Sequence, residues 1–309
     1  MSVIQQIRPS VRINPFDPLL AGMRSARRDF PVWHFAMVND GPRNAAIETS
    51  ISALDLKGKT VVEIGSGSGL IALLFAKYGA ELVVSCELNA NLARVAAKIV
   101  AASEHAPRIK IINESSRSAI ALGLLPRAPD VIFTETLDCG VVGEGFMPIA
   151  EDIRRLAGPH TVIMPRAVAQ SATLIESTSL AGLNRANTAC GFDLSLLNDY
   201  STGNYFPVHA ELHPHRGLSE THHMRTYSYL DCPQAEAVTA RITRPGTVHG
   251  LLSWFAADFG SASVSNEPFG VSHWHQAFHP LPEDIAVEAG DELAVLIDDA
   301  GFAWVARQA

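Results

Sequence analysis

The sequence predicts a parallel α/β domain followed by an antiparallel β domain. Three observations lead to that reading. Between residues 60 and 164, short β-branched runs alternate with helical segments. After Pro165 the texture changes to alternating apolar and polar runs separated by Gly, Pro and Asp. With 309 residues and 47% hydrophobic content, the chain can fill one large core or two closely packed ones.

Residues 1–32 carry Pro and Arg without regular periodicity and read as an N-terminal arm. From 35 to 54 the pattern is helical, with Pro42 at a break or a helix start, because proline is tolerated only in a first turn. Residues 60–64 and 82–86 read as strands, and 69–77 and 89–102 as helices. The runs 109–112, 131–134 and 161–164 are further short apolar strands. Strands separated by helical segments imply a parallel sheet covered on both faces, since each crossover helix must bury its apolar side on the sheet. Beyond Pro165, the runs 167–175, 226–230, 237–242, 248–259 and 292–297 read as antiparallel strands of a barrel or a sandwich. Residues 180–200 interrupt them as a mixed, partly helical insert. The expected organisation is an arm over 1–32, an α/β domain over 33–164 and a β domain over 165–309.

Composition narrows the classes of partner. The formal net charge is −8 and no Lys/Arg-rich tract is present, which argues against nucleic acid. A negative field favours a cationic partner, as a weak steering effect. The longest apolar runs fall short of the ~18 residues a membrane span requires, and the N-terminus lacks a signal-peptide pattern. Cys86, Cys139, Cys190 and Cys232 are scattered without C-x-x-C spacing, which fits free thiols in a reducing cytoplasm. His209, His213, His215, His222 and His223 crowd within fifteen residues. No Cys partner or second ligand set accompanies them, so they read as a solvated or interface loop and no metal is expected.

Two motifs carry chemistry. Glu63-Ile-Gly-Ser-Gly-Ser-Gly69 follows a strand and opens a helix. Its small residues allow close backbone approach to a ligand, and the helix N-terminus offers unpaired N–H groups. The next strand ends at Glu87, 22 residues after Gly65, where an acid can accept both hydroxyls of a ribose. Glu135 and Glu144 stand nine residues apart in a glycine-punctuated loop. Paired acids are most often solvated surface. On one loop, however, they can grip a planar cation from two sides, and a guanidinium presents five donors in a fixed fork.

A strand followed by Glu-x-Gly-x-Gly-x-Gly and an acid at the second strand resembles the class I S-adenosylmethionine-dependent methyltransferases. The resemblance goes further. Met37-Val-Asn-Asp40-Gly-Pro-Arg43, the Gly65 loop, Glu87, the two-glutamate loop and Ser272-His273-Trp274 occur in the order found in protein arginine methyltransferases. Residues 248–255 and Gly191-Phe-Asp-Leu194 are similar to that family's barrel strand and dimerisation-arm segment. The likeness covers roughly residues 33–309, and the text from Glu135 to Gly145 is most similar to the monomethylating, type III branch.

This resemblance implies a Rossmann-like methyltransferase domain followed by an antiparallel β-barrel, with a dimerisation arm at about 180–200 and a homodimer. It implies S-adenosylmethionine as cofactor. Glu63, Gly65, Gly67 and Gly69 would cradle its methionine and ribose parts, Glu87 would hold the ribose and Ser116 would border the adenine. Arg43 would pair with its carboxylate, with His34 beside it. Glu135 and Glu144 would grip the substrate guanidinium, His273 paired with Asp40 would bridge the site and help relay a proton, and Trp274 would offer an aromatic wall. Two features depart from the family pattern: no tyrosine precedes Tyr78 to cover the cofactor, and Ser272 replaces a common threonine. The expected reaction is monomethylation of an arginine ω-nitrogen. The compact chain, without an appended recognition domain, favours free L-arginine or a small guanidine; the alternatives are peptidyl arginine and a catalytically silent scaffold of the same fold.

Overall fold

The computed structural model describes residues 31 and 33–307. Apart from Pro31, the arm expected over residues 1–32 lies outside the described residues. Two short helices come first, α1 (Trp33–Val38) and α2 (Gly41–Ser52). Asp40 caps α2 by accepting the Arg43 N–H, and Pro42 occupies its first turn, so the expected break is a helix start.

The α/β unit follows as β1 (Thr60–Ile64), α3 (Leu70–Lys77), β2 (Leu82–Cys86), α4 (Ala90–Ala101), β3 (Ile109–Ile112), α5 (Ser116–Ala121), β4 (Val131–Thr134), α6 (Phe146–Leu156) and β5 (Val162–Met164). The five strands are parallel in the order β3-β2-β1-β4-β5. β1 and β4 are neighbours in the sheet but distant in sequence, which makes the crevice beyond their carboxyl ends a topological switch point. The strands read as unbroken apolar runs because both faces are covered; Val61, Val62 and Ile132 are fully buried. On α4, Leu92, Ala93, Ala96 and Val100 form the inward stripe, and Asn89 caps the helix through its side chain.

The change to antiparallel pairing falls between Met164 and Ala167. β6 (Ala167–Glu176), β13 (Gly246–Asp258) and β15 (Gln276–Val287) form the centre of one sheet, edged by β9 (Phe206–Val208), β10 (Arg216–Gly217), β11 (His222–Tyr227) and β14 (Ser263–Ser265). A second sheet comprises β12 (Val238–Arg241), β16 (Glu292–Ile297) and β17 (Ala303–Arg307). The two sheets share one core, in which Leu174, Leu218 and Leu251 meet Ala240, Leu293 and Val295, consistent with the barrel.

The 180–200 segment is less helical than the sequence suggested. After the short helix α7 (Thr178–Ala181) it holds a hairpin of β7 (Thr188–Ala189) and β8 (Phe192–Asp193), then a 3₁₀ turn over Ser195–Tyr200. Cys190 and Gly191 turn the hairpin with φ of 53° and 85°, a pair of left-handed residues that matches the twist of a two-residue hairpin loop.

Candidate active site

A cavity of about 610 Å³ opens at the carboxyl ends of the parallel strands, within the range of small-ligand sites. The glycine loop after β1, Glu87 after β2, Ser116 after β3 and Glu135 after β4 all line it, together with His34, Arg43 and Glu144. Four of the five parallel strands, β1 to β4, therefore deliver a residue of the following loop or helix to one rim.

The loop after β1 is built for close approach. Gly65 and Gly67 adopt φ of 89° and 50°, and a Cβ on Gly65 would meet Thr136 Cγ2 at 3.1 Å. Glu87 accepts the Gly67 N–H at 2.9 Å and the Asn89 N–H at 2.8 Å, which fixes its carboxylate at the rim. Ser116 lines the cavity and donates to Asp152 at 2.7 Å. Where the family carries tyrosines, Trp33, His34 and Met37 of α1 border the cavity. Trp33 carries no signal of its own in the sequence, because a helix of six residues gives no readable stripe.

Glu63 does not reach the cavity wall. It is fully buried behind the glycine loop, where Ser85 donates to it and its Oε1 has no hydrogen-bond partner. Burial pushes its pKa up to about 8, with the neighbouring Glu87 and Glu135 adding to the shift. Gly69 also stands back, as the left-handed cap of α3 packed against Ala96.

The two acids of the loop, Glu135 and Glu144, differ. Glu135 is occupied: Arg43 Nε donates to its Oε1 at 2.7 Å, and Arg43 Nη2 to its Oε2. Both partners are almost fully buried, and burial raises the Glu135 pKa against the pull of the guanidinium. Glu144 opens into the cavity and makes no hydrogen bond or ion pair among the described residues. The apolar walls push its pKa up to about 7, and the nearby Asp138, Glu135 and Glu87 push the same way.

Asp40, His273 and Trp274 stand behind the cavity. His273 N–H and Nδ1–H both donate to Asp40 Oδ2 at 2.9 Å, which leaves Nε2 as the proton-accepting nitrogen of the neutral ring. Burial lowers the His273 pKa, opposed by the bond to Asp40. Burial pushes Asp40 upward, but the donors from Arg43 and His273 outweigh it and leave its pKa lowered. The Trp274 ring is not part of the cavity wall. It packs edge-on against Phe255, and its indole N–H donates to the Leu137 carbonyl at 2.8 Å. It therefore anchors the acidic loop. Asn266 and Gln170 reach the next carbonyls, of Cys139 and Gly140, at 3.5 and 3.4 Å. Barrel side chains thus hold a loop that leaves the parallel sheet, and the site is assembled from both units.

The histidine-rich stretch is dispersed. His213 pairs with Ser179 at 2.9 Å, His209 packs on His275, and His222 and His223 belong to β11. Among the described residues no group of three metal-ligating side chains occurs, and no helix is long and apolar enough to cross a membrane. All four cysteines are free.

No protein-family model matches the chain. It is 37% identical over 284 residues to arginine N(omega)-methyltransferase of Streptomyces achromogenes subsp. streptozoticus, an alignment covering 90% of this chain and 78% of that protein. It is 23% identical over 304 residues to protein arginine N-methyltransferase 9 of Mus musculus, where it covers 85% of this chain and spans 36% of the longer relative. Two solved structures share the fold. The Trypanosoma brucei PRMT1 enzyme–prozyme heterotetrameric complex with AdoHcy matches with a TM-score of 0.72 at 17% identity, over 86% of each chain. Arabidopsis thaliana protein arginine methyltransferase 10 matches with a TM-score of 0.67 at 19% identity, over 88% of this chain and 86% of that one. With a relative at 37% identity aligned over most of both chains, and with this two-unit fold, the chain belongs to the family of S-adenosylmethionine-dependent arginine N-methyltransferases.

Proposed function

We propose that this enzyme places a single methyl group on an ω-nitrogen of free L-arginine. The observation behind the proposal is the pair Glu135 and Glu144 facing a cavity whose other wall is a glycine cradle with an acid at the ribose position. The bare, left-handed glycines and the narrow gap between Gly67 and His34, where a Cβ would sit 3.6 Å from the ring, fit S-adenosylmethionine. When bound, that cofactor supplies an electrophilic methyl on a sulfonium.

The chain's own residues do the rest. Glu87 would hold the ribose hydroxyls and Ser116 would border the adenine, both lining the cavity, and Arg43 would pair with the cofactor carboxylate with His34 beside it. Glu135 and Glu144 hold the acceptor guanidinium. Both Glu135 oxygens accept from Arg43, a two-bond grip that an acceptor guanidinium would share or displace. A guanidinium delocalises its lone pairs and is a poor nucleophile. Two carboxylates localise positive charge on some nitrogens, leave another richer in electrons and keep it at attack distance. The methylated product is itself a strong base, so its proton need not leave early. His273, donating Nδ1–H to Asp40, keeps Nε2 as an acceptor for that proton.

Free arginine is favoured because the relative at 37% identity carries that amino acid in its name. Peptidyl arginine remains the competing acceptor, since the relative at 23% identity is named for protein arginine. The test offers free arginine, other small guanidines and an arginine-rich peptide under long incubation with excess cofactor, followed by tandem mass spectrometry. The expected product is ω-N-monomethylarginine from the free amino acid. Faster turnover of the peptide overturns the acceptor, and dimethylarginine as a major product overturns single transfer.

We also infer a two-fold homodimer built on the 180–200 arm. Its hairpin and 3₁₀ turn expose Phe192 at 71%, Leu196 at 81% and Tyr200 at 90%, an apolar set that water disfavours. Light scattering at micromolar concentration should give twice the chain mass, and a monomer mass throughout would refute the arm as an interface.

A further inference from the structure

Arg43 accounts for the setting of Glu135. The setting of Glu144 depends on a side chain that the sequence did not single out. Tyr205 lies in the β unit, one residue before β9, and its hydroxyl donates to Asp138 Oδ2 at 2.8 Å. Asp138 Oδ1 accepts the N–H of Gly143, the residue before Glu144, at 3.0 Å. Each Asp138 oxygen is therefore committed, one to the barrel and one to the loop, which makes this carboxylate a bridge rather than a ligand for guanidinium.

The loop is shaped around the tyrosine. A Cβ on Gly140 would lie 2.5 Å from the Tyr205 ring, and one on Gly143 would lie 2.6 Å from its hydroxyl. Between those glycines Val141 is fully buried with φ of 77°, a left-handed conformation that a β-branched residue adopts only where its surroundings over-determine it. The Val141 N–H closes the turn on the Asp138 carbonyl at 3.1 Å. His279 packs beside the Tyr205 ring at 5.3 Å between centroids, itself fixed by Ser253 and the Gly301 carbonyl.

We propose that Tyr205 and Asp138 form a latch between the barrel and the strained 138–143 turn, and that this latch aims Glu144 into the cavity. They are positioning residues, acting through Gly143, and the inference rests on the reading of Glu144 as a clamp acid.

Tyr205→Phe keeps the ring in its wedge and removes only the hydroxyl, so the variant retains the packing. The expected result is a fall in kcat of roughly tenfold or more, the size of one lost hydrogen bond to a charged group. S-adenosylmethionine affinity by calorimetry should stay within about twofold of the parent, because no latch residue lines the cofactor cradle. Asp138→Ala should behave alike, and the Tyr205→Phe/Asp138→Ala double variant should be no slower than the worse single one. A second readout does not need turnover: hydrogen exchange at the Gly143 amide should accelerate by roughly tenfold in Tyr205→Phe, because its acceptor is no longer held. Parental kcat with unchanged Gly143 exchange, losses that multiply in the double variant, or cofactor affinity falling with kcat would each overturn the latch. If the parent methylates no guanidine, the functional reading fails instead, and Gly143 exchange still decides the latch.

Discussion

Glu144→Gln is expected to lower turnover by about 10²–10³, or ~3–4 kcal/mol, the usual cost of removing one preorganised charge partner from a reacting centre. The amide keeps the size of the side chain and cannot balance a guanidinium, so cofactor affinity should be retained while kcat falls. Glu135→Gln should lose a similar factor and carries an added structural cost, because it also strands Arg43. The pH dependence separates the two. Glu144, pushed up to about 7, must lose its proton before it can hold a cation. In the free enzyme kcat/KM should therefore rise with pH through about 7, and Glu144→Gln should lose that rise. Steady-state kinetics over this range are the check. A variant that turns over within about threefold of the parent would remove Glu144 from the clamp.

Arg43→Ala is expected to destabilise the fold by about 3–5 kcal/mol, because it leaves a nearly buried carboxylate without its counter-charge. The side chains of Arg43 and Glu135 are only 3% and 6% exposed, so solvent screens the pair little. The sign with pH follows from the group left behind. Glu135 already has a raised pKa in the folded state, and without Arg43 burial and the nearby Asp40 carboxylate both push it further up. The folded variant then binds a proton more tightly than the unfolded chain does. Its stability is fullest below the ordinary carboxylate range and falls as pH rises. Urea denaturation at several pH values should show the deficit relative to the parent widening with pH. A deficit that stays below about 1 kcal/mol at all pH values would mean that the pair is solvent-screened like a surface bridge.

The parallel half of the fold was legible because its signals are local. β1 with its glycine turn and β2 ending at Glu87 are each written in a few consecutive residues, and the switch-point crevice follows from their order. The antiparallel half was less so. β15 went unread because Pro280 and Pro282 argue against a central strand. The strand accommodates them through an irregularity: Val248 pairs with Ile285, but Gly250 pairs with Pro280, so residues 281–284 bulge out of register. The site divides the same way. Gly65, Gly67, Glu87, Glu135 and Glu144 sit in short motifs that the sequence displays, and all of them line the cavity. The function of Trp274 depends on where the Leu137 carbonyl falls, and that of Tyr205 on meeting Asp138 from 67 residues away. Such contacts exist only after the barrel closes on the acidic loop. Glu63 shows the converse: its motif marked it for the cofactor, and the strand buries it behind the loop instead.

A methyl moved in this cavity onto a guanidine nitrogen held by two carboxylates can be traced by an isotopic label. The most direct measurement incubates the enzyme with S-adenosylmethionine labelled with ¹³C at the methyl group and free arginine, then locates the label by heteronuclear NMR, with Glu144→Gln run in parallel. One labelled methyl on a terminal guanidine nitrogen is expected from the parent and almost none from the variant. Label on the α-amino group or the carboxylate, equal transfer by the variant, or no transfer to any guanidine offered would contradict it.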